Sequence, residues 1–473
     1  MHTPTPSPDT ETVPSKPVRF GTPVGGAYFA LTVLFVMNLL NYVDRYVFFQ
    51  LGPDIQKALS LNDKGFGILS SAFMVVYTIV SPFMGWLGDR YNRRRLLALG
   101  VGIWSLATVG TSFAQDFNQM FFWRAVLGIG EASYGVIAPP LLADLFSPKY
   151  RGRVMGVFYL ALPLGGALGY GIGGWVGVHW GWRAAFWVVG LPGLLTALAG
   201  LMINDPGRGA SEGRAPAGKA DRPQFREYLE LFRTPSFLYN IAGMAAVTFA
   251  IGAYAAWGAT FYQRVRMMPP KQAGLWIGGL TAVSGLLGIT LGTWIADFLL
   301  KFTRRAYLLW AGIAVMAAIP FGLLGILHPS LNMSLGMMFV AMILMASTLG
   351  PCNTVTANVV PATQRAAGYA LGILLIHLFG DISSPILIGA ISDRFGRPTI
   401  ADSPLGHLLA SIGATPVAMP TGTTNLTAGM LSVIPMLALG SFFFWVGSRY
   451  LAADQERAQH LGSGTEDDAP LVH

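Results

Sequence analysis

Six ionisable side chains fall inside long apolar stretches of this sequence: Asp44, Arg45, Arg124, Glu131, His377 and Asp381. If those stretches cross a bilayer, each charge costs roughly 2.5–3.5 kcal/mol at the centre of the membrane, so each must find a partner or line a polar cavity. Carboxylates and a histidine beside arginines suit one chemistry above others, the uptake and release of protons. No Walker loop, G-x-S-x-G elbow, zinc-ligand spacing or Cys/His nucleophile set accompanies them, so neither ATP hydrolysis nor a membrane enzyme is expected.

Spacing suggests which of these charges meet. Counting 1.5 Å per residue from the outer helix ends, Asp44 lies about 12 Å deep and Arg124 about 8 Å deep. A pair between them would neutralise both, whereas Arg45 projects about 100° away from Asp44. Glu131 follows Arg124 by seven residues on the same helical face, about 10 Å deeper. A buried carboxylate without a fixed partner can exchange a proton as its surroundings change, which is what a coupling site requires. Arg124 is therefore expected to act as a latch between Asp44 and Glu131. The competing reading is a static pair that only fixes helix packing.

Asn41 and Arg45 accompany Asp44 on the first helix as further candidates for the cavity wall. His377 and Asp381 are four residues apart, so they share a helical face and are expected to form a second titrating pair. Asn353 is expected to line the same cavity. The lone cysteine, Cys352, cannot form an intramolecular disulfide and carries no redox argument.

The elements that must position these groups follow from composition. Of 473 residues, 53% are hydrophobic and 11% charged. Twelve apolar runs are long enough to span a membrane. The first six are 25–52, 65–88, 95–114, 119–142, 153–178 and 182–203, and the second six are 237–263, 272–298, 306–327, 331–359, 366–391 and 425–450. They are too long for barrel strands, and an open sheet cannot satisfy its backbone in lipid, so an all-α membrane protein of twelve transmembrane helices is expected.

Two six-helix bundles, 25–203 and 236–450, would be joined by a cytoplasmic linker, 204–235, rich in Gly, Pro and charge. Within the linker, Phe225, Leu229 and Phe232 share one face of a possible amphipathic helix. Segments 1–24 and 451–473 are expected to be a disordered cytoplasmic N-terminus and a cytoplasmic tail, and the former lacks the apolar core of a signal peptide. With both termini inside, about two thirds of the 31 basic residues fall on the cytoplasmic side, as the positive-inside rule requires. That topology accounts for the net charge of +8 without nucleic acid, because the basic residues are spread over short loops.

Two loop patterns recur in both halves. Gly85-Trp-Leu-Gly-Asp89-Arg90-Tyr-Asn-Arg93-Arg94-Arg95 follows the second run, and Gly292-Thr-Trp-Ile-Ala-Asp297 with Arg304 and Arg305 follows the eighth. Pro148-Lys-Tyr-Arg151 joins runs four and five, and Pro361-Ala-Thr-Gln-Arg365 joins ten and eleven. This repetition predicts two halves related by a parallel repeat and alternating access between them.

The loop 85–95 resembles the signature of the major facilitator superfamily, G-x-L-x-D-R-x-G-R-R, departing from it at Asn92. The resemblance implies a gate at the cytoplasmic face, with Gly85 permitting close packing, Asp89 facing a helix N-terminus and Arg90, Arg93, Arg94 and Arg151 holding that face. Asp297 and Arg365 would be the counterparts in the second half. Arg124 to Ser133, Asn41-Tyr-Val-Asp44-Arg45, Gly181-Trp-Arg183 and His377 to Pro385 together resemble the spinster branch, whose members move sphingolipids and lysophospholipids. The segment Ser392-Asp-Arg-Phe-Gly-Arg397 mimics the signature loop but falls outside by topology, so no gating role is expected of it.

The expected function is thus proton-coupled secondary transport of an amphipathic, lipid-like small molecule by a monomer that needs no cofactor beyond the proton. Export of drugs or small organic anions on the same fold is the nearer alternative, because a fold does not fix a cargo. A non-transporting sensor or a lipid enzyme is the alternative of another class. Abundant Arg, Ala and Gly suggest a bacterial plasma membrane.

Overall fold

The computed structural model describes residues 25–207, 231–360, 365–396, 404–411 and 424–463, apart from a few side chains that include those of Asp89 and Arg365. The expected N-terminal segment, most of the linker with its amphipathic helix, and the end of the C-terminal tail lie outside the described residues.

Eighteen helices are described. The first half holds α1 (Ala27–Gln50), α2 (Gly52–Ala58), α3 (Asp63–Arg90), α4 (Arg93–Thr111), α5 (Phe117–Leu145), α6 (Pro148–Tyr159), α7 (Ala161–Trp180) and α8 (Trp182–Gly200). The second half holds α9 (Pro235–Arg264), α10 (Pro270–Leu299), α11 (Ala306–Leu327), α12 (Leu331–Ala346), α13 (Leu349–Val359), α14 (Arg365–Phe379), α15 (Ser383–Phe395), α16 (Pro404–Ser411), α17 (Thr427–Met430) and α18 (Val433–Ser463). No strand occurs among the described residues.

Eleven of the spans are long and apolar enough to cross a membrane. Where the third crossing was expected, α4 has 19 residues and opens on Arg93-Arg94-Arg95, which keeps it out of that set. It nonetheless packs between α5 and α8. The surface suits lipid: Ile79, Leu195, Trp294 and Phe302 are exposed, while Asp44, Arg124 and Glu131 are buried.

Four of the expected single spans are interrupted, at Leu160, Ser347–Thr348, Gly380–Ile382 and Leu431–Ser432. Each interruption ends three residues before a proline: Pro163, Pro351, Pro385 and Pro435. A proline ring removes one helical donor and clashes with the carbonyl four residues earlier, so the helix opens there. Pro82, Pro192 and Pro320 sit within continuous helices, so proline alone does not dictate a break.

Within the first half, α1 packs on α7, α3 on α5, and α4 on both α5 and α8; within the second, α9 packs on α18, and α11 on α12 and α18. The halves meet where α7 packs on α10, α3 on α15 and α1 on α9. The hydrogen bonds joining them gather at one end. Gln50 donates to the Pro270 carbonyl at 2.8 Å, Gln263 to that of Gln50 at 3.2 Å, Tyr170 to that of Ala255 at 2.5 Å and Ser71 to that of Ile382 at 2.7 Å. Toward the Arg93 end α3 leaves its partner, and Phe83 and Trp86 of α3 and Ile373 and Phe379 of α14 are exposed. The bundle is closed at the Asp63 end and open at the Arg93 end.

Candidate functional site

Helix α5 carries the charges inward because glycines let its neighbours approach. A Cβ on Gly128 would lie 2.4 Å from the Phe73 carbonyl oxygen of α3, and one on Gly130 would lie 2.6 Å from the Gly100 carbonyl oxygen of α4. Only hydrogen fits at either contact, so the Gly-x-Gly run docks α5 on both helices and fixes where Glu131 emerges.

Glu131 is fully buried and meets Arg45 of α1, whose Nε lies 2.9 Å and terminal nitrogen 2.5 Å from Oε2. The other oxygen, Oε1, has no hydrogen-bond partner. The Arg45 guanidinium also lies 5.3, 5.0 and 5.7 Å from the ring centres of Tyr42, Phe73 and Tyr77, where ring quadrupoles attract a cation.

The expected pair of Asp44 and Arg124 is not formed in this state. Asp44 instead accepts from the Thr108 hydroxyl of α4 at 3.0 Å, and its second oxygen is unmet. Arg124 donates to the Leu69 carbonyl at 3.3 Å, lies 4.1 Å over Phe48 and 4.6 Å over Phe73, and leaves one terminal nitrogen without a partner. Phe48 is one turn past Asp44 along α1, so the arginine has settled on aromatic faces a turn beyond the carboxylate. The expectation that Glu131 lacks a fixed partner is corrected likewise. The count of 100° per residue turned Arg45 away from Asp44, and that same rotation carries it to Glu131.

Two cavities flank Arg45. One, of about 210 Å³, is lined by Asn41, Tyr42, Arg45, Glu131, Tyr134 and His377 among others. The second, of about 110 Å³, is lined by Tyr42, Arg45, Phe73, Gly252 and Asp381 among others. Tyr42, Arg45 and Met74 belong to both and form the wall between them. Asp44 and Arg124, expected at the cavity surface, line neither chamber and are sealed behind the wall.

His377 and Asp381 meet as expected, with Nδ1 at 2.9 Å from the carboxylate. Asp381 sits in the interruption between α14 and α15, where the Ile382 N–H reaches back to the His377 carbonyl at 3.1 Å, a five-residue step that widens the helix. Asn353 lines neither chamber; it is exposed, and its carbonyl accepts from the Tyr369 hydroxyl at 3.0 Å.

At the open end, the signature loop works within one half. Arg93 binds Asp144 of α5 at 2.5 Å and Asp205, beyond α8, at 2.5 Å. Arg90 stacks on Trp86 at 4.0 Å, and Arg151 donates to the Ala143 and Phe146 carbonyls at 2.9 and 3.3 Å, closing the C-terminus of α5. Arg94 is half-buried, and a Cβ on Gly85 would meet nothing within 4 Å, so the close packing expected there is absent in this state. Asp297 accepts from Tyr307 at 3.0 Å. The side chains of Asp89 and Arg365 lie outside the described residues.

Residues 34–380 match the family model described as Major Facilitator Superfamily. The chain belongs to the Major Facilitator Superfamily. It is a transporter of that superfamily and not an enzyme. Within the family it is related to the spinster proteins. It is 34% identical to spinster homolog 1 of Xenopus laevis over 388 residues, covering 77% of this chain and 73% of the relative. It is also 34% identical to spinster homolog 1 of Homo sapiens over 399 residues, covering 80% and 75%. Among solved structures, a bacterial homolog of the human lysosomal transporter spinster, in an inward-facing and unoccupied conformation, matches with a TM-score of 0.78 at 25% identity, covering 91% of this chain and 98% of that one.

Several residues at the closed end were not anticipated. Asp63, Gln56, Arg264, Ser392, Asp393 and Thr424 form one network there. The sequence signal there is the Ser392-Asp393-Arg394 segment, of which no gating role is expected because topology puts it at the end opposite the signature loop.

Proposed function

We propose that the chain is a proton-coupled secondary transporter that works by alternating access and carries an amphipathic, lipid-like molecule of the lysophospholipid or sphingolipid type. The observation that carries the reading is the set of unmet polar atoms on Asp44, Arg124 and Glu131, buried between helices that meet lipid on their other side. Such groups persist in a membrane interior when they exchange partners during work.

Protonation of Glu131 would release Arg45, and ionised Asp44 would draw Arg124 one turn along α1. Each exchange moves α5 against α1 and biases one state of the bundle. The open, Arg93 end faces the cytoplasm in this reading, with both termini on that side, because the loops, linker and terminal segments there together carry about two thirds of the Arg and Lys. The membrane is a bacterial plasma membrane, on the strength of composition.

A charged and amide-bearing wall next to Phe, Tyr and Met surfaces suits a headgroup with a chain attached. The modest volumes of about 210 and 110 Å³ favour, as a second reading, a small organic anion or drug. The test is uptake into proteoliposomes under an imposed pH gradient, with Asp44→Asn, Glu131→Gln and Arg124→Ala beside the parent. Proton-driven uptake unchanged in all three overturns the coupling. Competition among a lysolipid, a sphingoid phosphate, a cationic dye and a small sugar assigns the cargo.

A further inference from the structure

Helix α3 begins at the closed end, and its first N–H groups have no partners within the helix. Asn62 takes one of them, that of Gly65 at 2.8 Å. The next two are taken from the other half of the molecule. Asp393 of α15 accepts from the Asp63 N–H at 3.0 Å with one oxygen and from the Lys64 N–H at 2.8 Å with the other. A carboxylate placed there also meets the positive end of the helix dipole.

The side chain of Asp63 faces the same seam. It is 2% exposed and receives Gln56 at 2.8 Å, Arg264 at 2.8 and 2.9 Å, Ser392 at 2.6 Å and Thr424 at 2.6 Å. Three of these four donors belong to the second half. Backbone meets backbone alongside: a Cβ on Gly389 would lie 2.3 Å from the Asp63 carbonyl oxygen, and one on Gly67 would lie 2.3 Å from that of Pro385. The pairing of 63 with 392, 67 with 385 and 71 with 382 runs α3 and α15 antiparallel.

We propose that Asp393 is a helix cap supplied in trans and that Asp393 and Asp63 together form the lock holding this end shut. Parting α3 from the second half strips two N–H groups and the three donors that Arg264, Ser392 and Thr424 give the buried Asp63 carboxylate, so the contact breaks as a unit. The same Asp-Arg dipeptide ends both antiparallel helices, Asp89-Arg90 on α3 and Asp393-Arg394 on α15, one at each membrane face. The segment resembling the signature loop is thus the gate of the opposite end.

This inference rests on the alternating-access reading, and the test separates the two. Ser70 lines the second chamber and is buried. In a Cys352→Ala background, Ser70→Cys would be probed with a membrane-impermeant maleimide added on the Asp63 side of sealed vesicles. Tyr159→Cys, at the first chamber, would be probed from the Arg93 side. Asp393→Asn is expected to raise labelling of the Ser70 position about tenfold, the order of a lost charged cap, and to lower labelling at Tyr159. Asp393→Glu, which keeps the carboxylate, is expected to stay within about threefold of the parent.

Folded Asp393→Asn protein labelling at the parental rate overturns the lock. If that variant does not fold, Ser392→Ala and Thr424→Ala each remove one hydroxyl donor to Asp63 and are expected to raise labelling about threefold. No change in either then overturns the lock. If Glu131→Gln shifts labelling at the two positions reciprocally while the lock variants do not, the lock alone fails. If no variant shifts labelling at either position, alternating access fails with it.

Discussion

Arg45 of α1 reaches Glu131 of α5 through two nitrogens, at 2.9 and 2.5 Å, while its neighbour Asp44 turns to Thr108. Adjacent residues on one helix thus serve two separate polar sites, and each makes a distinct prediction.

Arg45→Ala would leave Glu131 buried with neither oxygen paired. Removing one member of a buried pair costs about 3–5 kcal/mol, so a marked drop in the unfolding temperature is expected in detergent. Adding Glu131→Gln to that variant should recover most of the loss. A double-mutant cycle with no coupling would mean that the pair is not held in the membrane.

Asp44→Asn keeps an oxygen for the Thr108 hydroxyl, so the variant is expected to fold at parental yield. Its charge can no longer change. Uptake driven by a pH gradient should fall at least tenfold, about 1.4 kcal/mol of coupling, while counterflow exchange of cargo continues. Loss of both activities together would make Asp44 structural.

Gly130→Ala and Gly128→Ala place a methyl 2.6 and 2.4 Å from backbone oxygens of α4 and α3. Backbone cannot swing aside, so each change is expected to cost about 1–3 kcal/mol and to displace Glu131, lowering transport as well as stability. Gly102→Ala, whose Cβ meets nothing within 4 Å, is the control and should be neutral. Thermal shift and transport assays read both.

Arg93→Ala leaves Asp144 and Asp205 without the guanidinium that joins them. These carboxylates are 14% and 17% exposed, so water softens the loss to about 2–3 kcal/mol, below the cost for a fully buried pair. Because Arg93 and Asp144 belong to the first half and Asp205 to the start of the linker, none of them reaches the second half, and labelling at Ser70 and Tyr159 should match the parent. A shifted distribution between the two ends would place Arg93 in the gate after all.

The sequence was most informative where a constraint acts along one helix. Bilayer thickness sets the length of an apolar run, which made the all-α membrane class and most span positions legible. Helical periodicity brought His377 within reach of Asp381, as their hydrogen bond at 2.9 Å attests. The α4 crossing read less clearly, since three arginines at its start dilute the apolar signal. Proline positions do not by themselves decide the breaks: Pro163 and Pro385 follow interruptions whereas Pro82 and Pro320 do not.

Depth along a helix places two charges at one level, yet not on facing sides. That is why Asp44 and Arg124 looked paired from sequence and are apart in this state. Sequence by itself determined the membrane class and the inward charges, because the cost of a charge or an unpaired backbone group in lipid applies to every residue of a run, and the signature loop 85–95 carried the resemblance to the superfamily. Tertiary structure decided that Arg45 takes Glu131, that the bundle is shut at the Asp63 end, and that Asp393 caps α3 across the halves. Those partners are 86 and 330 residues apart, and only the packing of rigid helices brings them within hydrogen-bonding distance.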